Sequence, residues 1–192
     1  MSAPHSNPNP LSRRRFLVAG GVVGAALAAG SALLMRGGGD AHYAALLPGA
    51  TPRVLSLKEL GVLAAFCDRA CPPPGDDDPG PRKTRVAERI DKELTFHTPK
   101  MQGDVKAALL LLEHGGVLHL QATRFTRLSA DAQDAYLTRM GIDGNALERQ
   151  VFANLKLLAV FFHYCDERTW KGIHYEGPFQ PRKAPEADSR VS

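Results

Sequence analysis

The sequence predicts an all-α protein, a single domain of about five helices after an N-terminal signal helix. Three observations carry that prediction. Apolar residues recur at three- and four-residue spacing in segment after segment, as in "LKELGVLAAFC", the period of an amphipathic helix. Start and stop signals bracket these segments, with Ser56 and Glu59 before the first and Pro72-Pro73-Pro74 behind it, a capping box and a breaker run. No good run alternates apolar and polar residues and no hairpin signal is present, so the marks of strands are missing.

The first element is the signal, residues 1–41. A polar, Pro/Asn-rich stretch from Met1 to Pro10 precedes Ser12-Arg13-Arg14-Arg15-Phe16-Leu17, and a weakly apolar run follows. This three-part order is that of an export signal, and Ser12, Arg13, Arg14, Phe16 and Leu17 are read as its twin-arginine motif. Phe16 to Leu34 is 19 residues long but holds four Gly and six Ala, so it reaches the length of a membrane span while making a poor permanent anchor. Retention as a single anchor with its basic flank in the cytoplasm is the competing reading. Gly39 and Ala41 suit cleavage before His42, and Ala29 and Ser31 would also serve. The twin-arginine translocase moves proteins already folded, most often because a cofactor is inserted first. The signal therefore predicts a periplasmic protein and poses the question of its cofactor.

The signal also explains the charge. Of 24 Lys+Arg, four (Arg13, Arg14, Arg15, Arg36) precede Asp40, where no acid occurs, leaving 24 − 4 = 20 basic against 20 acidic residues and a net charge of zero. Nucleic-acid binding needs a basic stripe on the folded part, so that class is set aside. The remainder is long enough for one ordinary core, with the domain read as residues 42–180. "FQPRKAPEADSRVS" has no apolar period, and 181–192 is read as a disordered tail.

Five helices are then expected in order. The first runs from the Ser56 cap, with Leu60, Leu63, Ala64, Cys67 and Cys71 on one stripe. "PPPGDDDPGPRK" is a loop by composition, and its Asp run is a solvated acidic loop rather than the six to eight spaced oxygens of a calcium site. Val86, Ile90 and Leu94 share a face of the second helix, "TRVAERIDKELTFHT". The third, "DVKAALLLLEHGGVLHLQA", loosens at Gly115-Gly116. The fourth is short, capped by Ser129 and stopped by Gly141. The fifth is the longest, with Asp143 as its cap and a stripe of Val151, Leu155, Leu158, Phe162 and Cys165 widened by Leu157, Val160 and Phe161. That width predicts a central helix buried on most sides.

The residues offer no cofactor site. C-x-x-C-H is missing, and three cysteines (Cys67, Cys71, Cys165) fall short of the four thiolates of an iron–sulfur cluster. No G-x-G-x-x-G follows a strand, and neither H-E-x-x-H nor a repeated Glu-x-x-His occurs. His114 and His119, beside Glu113, are five apart and face different ways on a helix. His163, Cys165 and the acids Asp166 and Glu167 are the remaining cluster. They make a stand-alone metal-binding protein or enzyme the alternative reading, although His163 reads better as an interior or interface histidine and Glu167 as the ion-pair partner of Lys171 or Arg168. The chain is expected to be non-catalytic, with no catalytic, cofactor-binding or metal residues of its own.

The most distinctive stretch is "LKLLAVFFHYCDERTWKGIHYEGPF", with Trp170-x4-Tyr175-x-Gly177-Pro178 after an aromatic helix. Together with the signal, the Leu-rich helix ending at Cys71-Pro72 and "LSADAQDAYL", it resembles the gluconate 2-dehydrogenase subunit 3 (small or gamma subunit) family over about residues 54–180. The resemblance implies a non-catalytic small subunit of a periplasmic, membrane-associated complex. In such complexes a large FAD-dependent dehydrogenase of the glucose–methanol–choline type oxidises a sugar, sugar acid or polyol. A cytochrome c subunit can pass electrons onward, so FAD, and in some complexes iron–sulfur or haem c, is expected in the partners. The small subunit can escort the large one through export, which answers the cofactor question: the cargo is the FAD-loaded partner. Trp170, His174, Tyr175, Gly177, Pro178 and Phe179 are then the candidate partner interface, since aromatic anchors are enriched at interfaces, with capping of the protein's own core as the other reading. The resemblance also implies a disulfide to the catalytic subunit through Cys67 or Cys71. The alternative is buried free thiols, Cys165 first among them.

Overall fold

The capping box at Ser56 forms as expected. Ser56 Oγ accepts from the Glu59 N–H at 3.2 Å, and a Glu59 carboxylate oxygen accepts from the Ser56 N–H at 2.7 Å. The helix it starts is the axis of the molecule. In the structure, a computed structural model that describes residues 40–73, 75, 79–116 and 123–177, the α-helices are α1 (Asp40–Leu46), α2 (Leu57–Ala70), α3 (Val86–Leu94), α4 (Pro99–His114), α5 (Ala130–Ile142) and α6 (Ala146–Tyr164). Short 3-10 turns occupy Phe125–Arg127, Glu167–Thr169 and Lys171–Ile173. The described residues contain no strand, so the chain is all-α, with one helix more than the five expected. Signal residues 1–39, the Asp76–Asp78 run, His119, Pro178, Phe179 and the 181–192 tail lie outside the described residues, while Asp40 and Ala41, read as the end of the signal, begin α1.

Every residue of α2 from Lys58 to Cys67 is buried, and α1, α3, α4, α5 and α6 all pack on it. Cys67 and Cys71 lie on the buried stripe as read, both as free thiols. α3 buries Val86, Ile90 and Leu94, the three residues predicted to share a face. Its Asp91 is buried too, and its carboxylate accepts the backbone N–H groups of Arg53, Val54 and Leu55 at 2.6, 3.0 and 2.7 Å. That carboxylate pins the chain entering α2, because three otherwise orphaned donors converge on one charge.

Several expectations are corrected. The apolar width of α6 predicts the central helix, but α2 takes that place and α6 buries one face only: Glu148, Val151, Leu155, Ala159 and His163. Leu157 and Phe161 on the other side are 69% and 59% exposed. Apolar composition outran burial because nothing among the described residues packs over that face. The α6 cap is Asn145, with Glu148 completing a capping box, while Asp143 is the C-cap of α5. Gly141 does not stop α5, which continues to Ile142. α4 starts earlier than read, capped by Thr98 with Pro99 in its first turn, a position where the missing proline N–H costs nothing.

α1 was not expected. Tyr43 fixes it in place, fully buried against α2 where Gly61 has no side chain. A Cβ at Gly61 would stand 3.1 Å from the Tyr43 ring. The Tyr43 hydroxyl donates to Glu113 at 2.7 Å. The other donors to Glu113 are the Thr126 hydroxyl at 2.7 Å and the Thr126 N–H at 3.0 Å. One buried carboxylate on α4 thus ties α1 to the turn after residue 122. Arg82 makes a second tie, donating to both Asp68 oxygens from Nε and to the Leu46 carbonyl.

Candidate functional site

The C-terminal corner collects most of the predicted site residues. α6 ends at Tyr164 because Asp166 leaves the helical conformation (ψ +118°) and turns its side chain to the Arg168 N–H at 3.1 Å. The chain then folds back in two 3-10 turns. Trp170 closes this hook: its indole N–H donates to the Tyr164 carbonyl at 2.8 Å. Its ring meets Tyr175 edge-on, with centroids 5.1 Å apart. Gly177 has φ +109°, and a Cβ there would come within 3.3 Å of the indole. Glycine is required on both counts. His174 is also left-handed (φ +55°) and exposed.

The predicted interface residues therefore divide. Trp170 is largely spent on the protein's own hook, while His174 and Tyr175 keep exposed surface, Tyr175 at 46%. Leu157 and Phe161, expected to widen the buried stripe of α6, lie outside instead. Leu157 and Phe161 are one turn apart on the exposed face of α6, and Ile173 follows in the hook. The signal was present in the sequence, since this helix carries more apolar residues than one buried face can use.

The His163, Cys165, Asp166 and Glu167 cluster is not assembled as a unit. His163 is 1% exposed, with Nδ1 3.4 Å from Thr84 Oγ1. Burial holds its imidazole below the ordinary pKa of 6.5, because a desolvated site disfavours the charged form. It is an interior histidine. Asp166, not Glu167, forms the ion pair with Arg168, at 2.8 Å, with Arg89 3.8 Å away. The hydrogen bonds from Arg168 come first among the causes that hold its carboxyl down at about 2. Cys165 is exposed rather than buried, which corrects its placement on the apolar stripe. Cys67 and Cys71 are enclosed. Burial pushes the Cys67 thiol well up and the Cys71 thiol to about 11, which leaves them unreactive as nucleophiles near neutral pH.

Among the described residues, no group of three or more His, Cys, Asp or Glu side chains is placed to hold a metal ion. No described helix is long and apolar enough to cross a membrane. Glu113 is committed to Tyr43 and Thr126, and burial lowers the pKa of neighbouring His114.

What these features define is a small helical protein with an exposed apolar helix face beside a self-folded C-terminal hook. The family model of gluconate 2-dehydrogenase subunit 3 matches residues 58–177, more than half of the chain. The protein belongs to that family, whose description is that of one subunit of a multi-subunit dehydrogenase. No curated protein and no solved structure matches the chain. The match begins in α2, beyond the segment that carries α1, and ends at the glycine against Trp170.

Proposed function

We propose that this chain is the non-catalytic small subunit that binds, stabilises and co-exports an FAD-dependent dehydrogenase of the glucose–methanol–choline type, acting on a sugar, sugar acid or polyol. FAD is the partner's cofactor, and a cytochrome c subunit is the next carrier. The complex works in the periplasm, associated with the membrane through its partners, and the Ser12–Leu17 motif takes it there by the twin-arginine route.

The observation that carries this reading is the exposed pair Leu157 and Phe161 in a chain of a subunit family. Large apolar groups on one exposed face mark interaction surfaces. The same face explains why this helix is so apolar without being central. Tyr175 and Ile173 extend the exposed apolar surface into the hook. The expected disulfide to the partner is through Cys67 or Cys71, both buried in this chain while Cys165 is exposed. Cys67 and Cys71 would have to leave the core.

The test is co-expression of the full chain with the flavoprotein, with and without Arg13→Lys and Arg14→Lys. Twin-arginine transport is expected to fail in that variant although charge is kept, leaving the flavoprotein and its activity in the cytoplasm. Periplasmic flavoprotein at the wild-type level would show that the dehydrogenase travels on its own and would remove the escort role.

A further inference from the structure

A second surface lies beside the hook and has a different chemistry. The chain entering α2, the outer face of α3 and the start of the hook enclose an open cleft of about 620 Å³. Each wall is held from within. Asp91 pins residues 53–55 to α3. Arg89 donates to the Phe162 carbonyl at 2.9 Å, tying α3 to the end of α6. Arg168 donates to the Lys83 carbonyl at 3.2 Å, bringing the hook to the other end of the cleft. The concavity is therefore built by long-range hydrogen bonds between three segments rather than by one mobile loop.

The charge inside it is uneven. Arg53, Arg85, Arg89, Lys92 and Arg168 line the cleft against Glu88, Asp166 and Glu167, five cations to three carboxylates. Two carboxylates are already engaged, Asp166 by Arg168 and Arg89, and Glu88 by Arg85 at 3.1 Å. Among the described residues, the side chains of Arg53 and Lys92 have no ion-pair partner, and both residues are exposed. This concentration of positive charge stands out in a sequence whose residues 40–192 balance to zero. A concave site with an excess of one sign of charge attracts the opposite sign more strongly than a flat surface does.

We propose that this cleft receives an acidic, extended segment of the partner dehydrogenase, with Arg53 and Lys92 as its unspent cations. This rests on the subunit reading above and adds a second contact to the apolar face of α6. The concave shape favours a single polypeptide segment over a flat anionic membrane. The volume far exceeds what one small anion needs. Charge complementarity of this kind chiefly sets partner choice and association rate.

The first arm is fluorescence anisotropy of a labelled heptapeptide of alternating Glu and Asp, titrated with the full chain and with its Arg53→Glu/Lys92→Glu variant. Binding that weakens about ten-fold or more in the variant, roughly 1.4 kcal/mol or more, and that falls as salt rises, is expected while circular dichroism stays unchanged. Absent binding, or equal binding by both proteins, overturns the proposal. Inorganic phosphate that displaces the peptide at equal concentration overturns it too, in favour of a small-anion pocket.

The second arm is recovery of the co-expressed flavoprotein with each protein. Recovery that drops with Arg53→Glu/Lys92→Glu assigns the occupant to the partner. Undiminished recovery overturns that assignment even if the peptide binds. A wild-type chain that recovers no flavoprotein would sink the subunit reading instead, and the peptide titration would still decide the cleft.

Discussion

Glu113 holds the N-terminal part of the molecule together. A carboxylate that is 2% exposed is costly to bury unless its oxygens are matched, and here Tyr43 and both donors of Thr126 match them. Glu113→Ala should therefore lower the unfolding free energy by about 3 kcal/mol or more, since hydrogen bonds to a charged group contribute about 1.5–3 kcal/mol each. Tyr43→Phe should cost less, and adding it to Glu113→Ala should cost little further, because the two share one interaction. Urea unfolding followed by circular dichroism measures all three, and simple additivity would contradict the shared bond. Three other residues contribute to the acid response, His114 among them, since burial lowers its pKa as it does that of His163. His163 has a folded pKa below its ordinary 6.5 because it is buried. Its contribution is complete above that value and declines as pH falls below it, since the unfolded chain takes the proton more readily. Asp166 is held at about 2, against an ordinary 3.8, chiefly by Arg168. Its contribution is complete above 3.8 and is lost as pH falls toward 2. All three act in one direction, so the urea midpoint should fall between pH 7 and pH 5 and again below pH 4. His163→Gln should reduce the first fall to the part that His114 contributes and leave the second. A midpoint that rises on acidification would contradict these assignments.

Among the elements, α6 is the one whose role differs most from its composition. Its apolar width reads as a central helix, yet Leu157 and Phe161 face outward while Val151, Leu155 and Ala159 face the core. The two sets should separate cleanly on mutation. Leu157→Ala with Phe161→Ala removes no core contact and should change stability by about 0.5 kcal/mol or less, as for exposed sites generally. It should weaken recovery of the flavoprotein about ten-fold or more, as truncating interface anchors does. Leu155→Ala should do the reverse, destabilising the fold by about 2–5 kcal/mol. Thermal unfolding and co-purification read the two effects separately. A double variant that unfolds easily would return this face to the core. The amphipathic period and the caps at Ser56 and Ser129 are local features, which is why α2, α3 and α5 are readable along the chain. How many faces of a helix are covered depends on neighbours far away in sequence, and no periodicity reports that.

For the whole molecule, the short helix α1 is part of the packed unit. It lies outside the family match, which starts at Lys58, yet Tyr43 fills the groove over Gly61 and completes the Glu113 cluster. Any maturation cut should therefore fall before Tyr43, which allows cleavage before His42 or at the earlier small residues. Mass spectrometry of the exported protein would find its new N-terminus, and one beyond residue 43 would contradict the role given to α1. A chain starting at Leu47 loses a fully buried aromatic, a change that costs about 3–5 kcal/mol. Its Tm should drop by about 10 °C or more.

By itself the sequence determined the all-α class, the starts of α2 and α5, the buried face of α3, the neutral charge of the domain and the family, because periodicity, caps and motifs are properties of neighbouring residues. The twin-arginine reading likewise rests on sequence alone. Tertiary structure alone decided that α2 rather than α6 is central, that Trp170 turns inward while Leu157 and Phe161 stay outside, and that Cys165 is the exposed thiol. It also brought Arg53, Lys92 and Arg168 to one cleft from three separate segments. Those outcomes depend on which surfaces meet when distant helices pack, and the shared burial that selects them is settled only once the whole core closes.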